Sequence, residues 1–155
     1  MKSVLFVCHG NICRSPMAEF VFKNLLKEAG ITGCEVASRA TSREEIWGDR
    51  GNPIYPPAQR ALSRYGVPFD QAKRAEQLSS ADCRSFDLLI GMDDNNMRNM
   101  QRMFPDYTDK MHKLLDYAEG GNVADPWYTE DFETAYRDIE KGCLALLKHL
   151  FPRTR

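Results

Sequence analysis

The first apolar run of the chain, Val4-Leu5-Phe6-Val7, has no polar interruption. An unbroken β-favouring run of this kind belongs to a parallel strand covered on both faces, whereas a half-exposed strand would alternate. The pattern breaks at His9-Gly10-Asn11, and after Ser15-Pro16 it resumes with Met17, Phe20, Val21 and Leu25 on one helical face up to Gly30. Serine followed by proline is the usual mark of an N-cap and a first helical residue, so a helix is predicted to start at Ser15. The chain therefore opens with a strand, a short loop and a helix.

Further along, Cys34 to Ser38 reads as a second strand, Phe86 to Gly91 as a third and Lys113 to Leu115 as a short fourth. Residues 41–57 carry Gly48, Gly51, Pro53, Pro56 and Pro57 among charged positions and read as a long surface loop, a length more often functional than idle. Helices are predicted over Pro57 to Tyr65 and Asp94 to Phe104, the second with Met97, Met100 and Phe104 as core filler. The last helix is the best defined, because Phe132, Tyr136, Ile139, Cys143, Leu146 and Leu150 advance by steps of 4, 3, 4, 3 and 4. Strands alternating with helices imply an α/β fold with right-handed crossovers. The expectation is a single three-layer domain over 1–155, flavodoxin- or Rossmann-like, with a short parallel sheet of about four strands and helices on both faces. Ligands of such folds bind at the carboxyl ends of the strands, where the loop from Cys8 to Ser15 lies.

Composition narrows the function classes. With 22 acidic and 21 basic residues the formal charge is −1, so neither nucleic acid nor an anionic membrane is an expected partner. At 43% apolar and 28% charged the 155-residue chain can build a core without staples. No early apolar run is long enough for a signal peptide or a membrane span, and a cytoplasmic protein is expected. The five cysteines, Cys8, Cys13, Cys34, Cys83 and Cys143, are odd in number and dispersed, which argues for reduced thiols. A zinc or redox sensor built on Cys8, His9 and Cys13 lacks a second ligand pair at motif spacing, so no metal or cofactor is expected.

The chemistry concentrates in Cys8-His9-Gly10-Asn11-Ile12-Cys13-Arg14-Ser15. Glycine and an asparagine that tolerates left-handed backbone let the loop turn its N–H groups toward one point, where the helix dipole also favours an anion. Arg14 adds a planar fork that can grip two phosphate oxygens. The same field stabilises a thiolate, making Cys8 a nucleophile aimed at the phosphorus of whatever the loop holds. The Ser15 hydroxyl could either donate to that thiolate or cap the helix.

The stretch from Val7 to Glu19 resembles the signature loop of the low-molecular-weight protein tyrosine phosphatases. Phe86 to Asp93 is similar to the family's third strand and the turn after it, and Asp125-Pro126-Trp127-Tyr128 to its Asp-Pro-aromatic-aromatic segment. The resemblance covers nearly the whole chain. It implies a metal-independent protein tyrosine phosphatase that forms a phosphocysteine on Cys8, with Arg14 and the amides of His9, Gly10, Asn11, Ile12, Cys13 and Ser15 around the phosphate. The substrate would be a phosphotyrosine protein, and phosphate both product and inhibitor. Asp125 suits a general acid on chemical grounds, since a departing phenolate needs a proton, and Pro126 biases it toward extended backbone. Trp127 and Tyr128 would wall a slot for an aromatic ring. The resemblance also implies a reversible Cys8 to Cys13 disulfide protecting the nucleophile. No role is expected for His112 or His149.

Two departures concern the rim and the loop's support. Where the family commonly has Ala-Gly-Thr and an aromatic residue, this chain reads Ser38-Arg39-Ala40-Thr41-Ser42-Arg43-Glu44-Glu45-Ile46-Trp47. Glu44 or Glu45 takes the aromatic's place unless a reset loop brings in Trp47. Lys73 stands where many members have a histidine supporting the cysteine loop. Ile12 matches the tyrosine-directed members, whereas a phosphoarginine-directed branch has threonine there. The rival readings are that protein-arginine phosphatase, a thioredoxin-coupled arsenate reductase, for which only Cys83 is near the required place, and a phosphotyrosine-binding module without turnover.

Overall fold

The computed structural model describes residues 2–153. In chain order the elements are β1 (Lys2–Cys8), α1 (Arg14–Glu28), β2 (Cys34–Ala40), β3 (Ile46–Trp47), β4 (Arg50–Gly51), α2 (Pro56–Arg64), α3 (Ser80–Ser85) and β5 (Leu88–Gly91). Then come α4 (Asp94–Met103), a 3-10 helix (Pro105–Lys110), β6 (Met111–Lys113), a second 3-10 helix (Leu114–Tyr117), α5 (Pro126–Thr129) and α6 (Phe132–Leu150).

Four strands form one parallel sheet in the order β2-β1-β5-β6, with Val4 facing Val36 on one side and Leu88 on the other. The chain runs outward from β1 to β2, then crosses back to β5, so the switch in direction falls between β1 and β5. The carboxyl ends of these two strands, at Cys8 and Gly91, frame the crevice where such folds take ligands.

Alternation along β1 divides the core. Val4, Phe6 and Cys8 face α1 and α6, while Leu5 and Val7 face Leu89, Cys83 and Met100. Val4 to Val7 are fully buried, as an uninterrupted run requires. On the first face Phe6 meets Phe22 edge to face at 5.8 Å, and α6 lies against α1 and the second 3-10 helix. Gly142 permits that approach, since a Cβ there would be 2.5 Å from Cγ of Leu114. On the second face Met100 is fully buried and Met97 packs at its edge.

The predicted three-layer α/β arrangement is observed, with local corrections. The fourth strand is Met111–Lys113, and Leu114 and Leu115 turn inward on a 3-10 helix. β2 runs two residues further than expected, to Ala40. Segment 41–57 is not simply a surface loop. It holds the β3-β4 hairpin, buries Ile54 and presses Gly51 against the backbone of Ala75. Glycine and proline mark turns without revealing whether the turns are covered, which is why pattern alone misplaced it. Helix α3 was unforeseen, although Ser79 and Asp82 form a full capping box at its start. The ends of the expected 1–155 domain, residues 1, 154 and 155, lie outside the described residues. Among the described residues no helix is long and apolar enough to cross a membrane.

Candidate active site

Cys8 closes β1, 3% exposed, at the bottom of a pocket of about 240 Å³. The loop after it turns at Asn11, whose φ of 59° is the left-handed conformation that asparagine tolerates. That turn brings the Asn11 N–H to 3.3 Å from the Cys8 sulfur. Ser15 Oγ lies 3.0 Å from the same sulfur, and the Asn11 amide donates to Ser15 Oγ (2.8 Å) and to Ser38 Oγ (3.0 Å).

Ser15 is therefore not the helix cap. Helix α1 begins at Arg14 with Cys13 in the cap position, and no side chain caps it. The Ser15 hydroxyl is engaged beside the sulfur, and the first amides of α1 stay available to an anion at the helix N-terminus. The Cys13 thiol is 8% exposed and pushed up to about 12, first by burial and then by its neighbours Cys8 and Asp125. All five cysteines are free.

Arg14, 4% exposed, donates through Nη1 to Asp93 Oδ2 (2.7 Å) and to the carbonyl of Val123 (3.2 Å). Its Nη2 reaches Asp125 Oδ2 at 3.5 Å. Burial alone would lower the guanidinium's pKa, but Cys8, Asp93 and Asp125 outweigh it and raise the value further. Asp125 caps α5 through Oδ1, which accepts from the Trp127 N–H at 3.1 Å, and its backbone is extended as the following proline demands. Its other oxygen is thereby turned toward Arg14.

Nine predicted residues line this pocket: Cys8, His9, Gly10, Ile12, Cys13, Arg14, Asp125, Trp127 and Tyr128. Asn11 and Ser15 stand behind the sulfur and do not line it. Glu44 and Glu45 occupy the rim, Glu44 at 3.0 Å from His9 Nε2, whereas Trp47 sits 71% exposed on the β3-β4 hairpin and lines nothing here. Cys83 is buried against Leu5 and Val7 on the other core face, which removes it as a redox relay. Asp93 was missed as a functional residue. Its local signal, an N-cap three residues before Asn96, is legible, but its partner Arg14 is 79 positions away. Lys73 reaches the loop from behind, donating to Asn11 Oδ1 at 3.0 Å. Among the described residues no group of three or more His, Cys, Asp or Glu side chains could hold a metal ion.

A family model described as low molecular weight phosphotyrosine protein phosphatase matches residues 3–154. The chain belongs to that family. Its relative YfkJ of Bacillus subtilis, a low molecular weight protein-tyrosine-phosphatase, is 42% identical over 153 residues, covering 95% of this chain and 94% of the relative. The crystal structure of SP-PTP, the low molecular weight protein tyrosine phosphatase of Streptococcus pyogenes, superposes with a TM-score of 0.89 at 40% identity, covering 99% of this chain and 95% of that one. A structure of the YwlE arginine phosphatase is also similar, with a TM-score of 0.83 at 26% identity and coverage of 96% and 95%. The low-molecular-weight phosphatase family thus includes the fold seen here over the described residues.

Proposed function

We propose that the chain is a metal-independent protein tyrosine phosphatase working through a phosphocysteine on Cys8. The observation that carries this reading is the convergence of the Cys8 sulfur, the Arg14 guanidinium and the Asp125 carboxyl in one pocket walled by Trp127 and Tyr128. The Cys8 thiolate attacks phosphorus and the bond to the phenolic oxygen breaks. Asp125 gives its proton to the departing oxygen, and a phosphocysteine remains. In the second step Asp125 takes a proton from water, the water oxygen bonds to phosphorus, the S–P bond breaks and Cys8 leaves as thiolate with inorganic phosphate. Arg14 and the amides at the start of α1 hold the equatorial oxygens through both steps, the kind of fixed-donor stabilisation that is usually the largest catalytic contribution. A phosphotyrosine protein in the cytoplasm is the substrate that this reading assigns, with phosphate as product and competitor.

A protein-arginine phosphatase is the second reading, and the acidic rim is the observation that favours it. Glu44 and Glu45 would attract a basic side chain, but exposed pairs contribute about 1 kcal/mol or less. Ile12, 8% exposed and hydroxyl-free, offers nothing to a guanidinium N–H, and leaving one unpaired costs about 1 to 3 kcal/mol, a factor of roughly 5 to 150. Phosphotyrosine wins on that balance.

A leaving-group series tests the mechanism. Asp125→Asn is expected to lower kcat by about 10² to 10⁴ on aryl phosphates with poor leaving groups, and by less as the phenol becomes more acidic. Cys8→Ser is expected to abolish turnover while phosphate still binds. Undiminished turnover in Cys8→Ser, or a uniform loss across leaving groups in Asp125→Asn, would refute it. Tenfold better kcat/KM on phosphoarginine than on phosphotyrosine would establish the second reading.

A further inference from the structure

Beside the catalytic pocket lies a larger groove of about 790 Å³, between α2 and the segment that joins α5 to α6. Its floor is apolar, built from Tyr55, Pro57, Ala61, Pro126, Trp127 and Phe132. The Tyr55 ring ties the floor together, its centre 5.7 Å from that of Trp127 and 6.0 Å from that of Phe132. The α2 wall is one helical face, because Pro57, Arg60, Ala61 and Arg64 recur at the spacing of successive turns, while Ala58 and Leu62 on the other face are buried in the core. Trp127 lines the catalytic pocket as well, so one indole is the wall common to both. Most charge on the walls is engaged within the protein. Arg64 pairs with Glu133, and both Asp131 oxygens are taken by Thr134, through its N–H at 3.0 Å and its hydroxyl at 2.6 Å. Arg60 on α2 and Glu130 just past α5 are left on opposite walls, and among the described residues neither has a side-chain partner.

We propose that this groove docks the substrate segment flanking phosphotyrosine and selects a large apolar side chain two residues away from it. The inference rests on the reading of the catalytic pocket as a phosphotyrosine site. Two arguments commit the groove to an extended peptide. The first is charge. A lipid surface or a nucleic acid needs a field of positive sign, whereas these walls offer one unengaged charge of each sign. An extended backbone carries carbonyl oxygens and N–H groups along its edges, so it can accept from Arg60 and donate to Glu130 while a side chain rests on the floor. The second is the shared wall. Two side chains touching opposite sides of one ring stand about 7 to 8 Å apart, twice the optimal carbon contact distance. Residues i and i+2 of an extended chain are about 6.6 Å apart and point the same way, while residue i+1 points to the other side. With phosphotyrosine in the pocket on one side of Trp127, the second residue along therefore falls into the groove on the other, and the first faces solvent.

The test uses short peptides with a central phosphotyrosine among serines, in which leucine replaces the first or the second residue on either side. Wild type is expected to show KM lower by about tenfold for leucine at the second residue on one side, as half-burying such a side chain implies, with kcat within about twofold because the groove touches nothing at phosphorus. Leucine at the first residue is expected to change KM by less than about twofold. Ala61→Glu sets a charge on the floor, and Pro57→Glu does so from the first turn of α2, where an acid suits the helix. Either one, folded by its thermal midpoint, is expected to cut the leucine-to-serine preference below about threefold. Repulsion between the added carboxylate and the phosphopeptide affects both peptides and cancels in that ratio. No preference at a second residue overturns the proposal, as does an equal one at a first residue or one that survives both variants. A dimer that Ala61→Glu dissolves, in a protein without peptide preference, gives the groove to a second copy and overturns it too. Calorimetric affinities of the same peptides for Cys8→Ser read the groove without turnover. A wild-type protein inactive on every phosphotyrosine peptide thus refutes the phosphatase reading, while the affinity ratio still decides the docking.

Discussion

Replacing Asp93 by asparagine isolates the pairing of Arg14 from everything else that Asp93 does. The aspartate has two tasks on its two oxygens. Oδ1 accepts from the Asn96 N–H at 2.8 Å and caps α4, while Oδ2 takes the Arg14 guanidinium at 2.7 Å. Asparagine caps a helix about as well as aspartate, so the first task survives. The second does not, because the amide's other atom is an NH₂, a donor set against the guanidinium, so charge and acceptor are lost together. A hydrogen bond between charged groups contributes about 1.5 to 3 kcal/mol, and that is the cost of the exchange. The side chains are 4% and 18% exposed, so water does little to screen the change. In a domain of this size each kcal/mol moves the midpoint by about 2 to 4 °C, and Asp93→Asn is expected to melt roughly 3 to 12 °C lower. Phosphate should then reverse part of the defect. A bound dianion supplies the negative partner that Arg14 has lost, so it binds the variant relative to wild type more favourably and raises its midpoint further at equal concentration. Asp93→Ala loses the cap as well, a further cost of about 0.5 to 2 kcal/mol. The assay is thermal melting of the three proteins with and without phosphate. Equal midpoints for wild type and Asp93→Asn, or an equal phosphate shift in both, would refute this account of Arg14.

Two further outcomes are expected. The Cys13 thiol, pushed up from 9.0 to about 12, stays protonated in the fold where the unfolded chain ionises, so stability present below about pH 9 is lost as pH rises toward 12, at up to about 1.4 kcal/mol per pH unit. Cys143 and Tyr136, raised chiefly by burial, add to the slope; Cys13→Ser should flatten it when melting is compared at about pH 8 and about pH 10, and an unaltered slope would count against the assignment. Gly51→Ala would put a Cβ 2.0 Å from the Ala75 carbonyl oxygen, so the segment carrying Lys73 must shift, costing about 1 to 3 kcal/mol; a midpoint within a degree of wild type would show that the contact yields freely.

What the sequence made legible was local. The buried run at Val4, the helical periodicity after Pro16 and the unbroken stripe of α6 fixed the layers, because each signal lies within a few residues of what it specifies. The loop chemistry was legible for the same reason, since Cys8 and Arg14 belong to one turn. Pattern leaves Ser15 open between helix cap and partner of the sulfur, because the partners that decide it come from outside the serine-proline pair. The sulfur ends the preceding strand, and Asn11 is held from 62 and 65 positions away by Lys73 and Glu76. The tie between Asp93 and Arg14 likewise spans the sheet and follows from adjacency of β1 and β5, which spacing does not encode. At the rim, charge and length left Trp47 and the two glutamates as alternatives, and the two-residue strands of the β3-β4 hairpin decided between them.

The way the pocket is mounted also governs how this protein can change. Residues 11–22 are all buried, wedged between the sheet and α6, so nearly every substitution there disturbs packing as well as chemistry. The side chains that meet the rest of a substrate are mounted differently. Tyr128 is 83% and Trp127 59% exposed, and Glu44 stands free in solvent apart from His9. Exchanges at such positions usually alter stability by no more than about 0.5 kcal/mol. Drift and selection can therefore reset which phosphorylated molecule is admitted while the reacting atoms stay where they are, and a library randomised at Glu44 and Tyr128 should return mostly folded proteins with altered preferences.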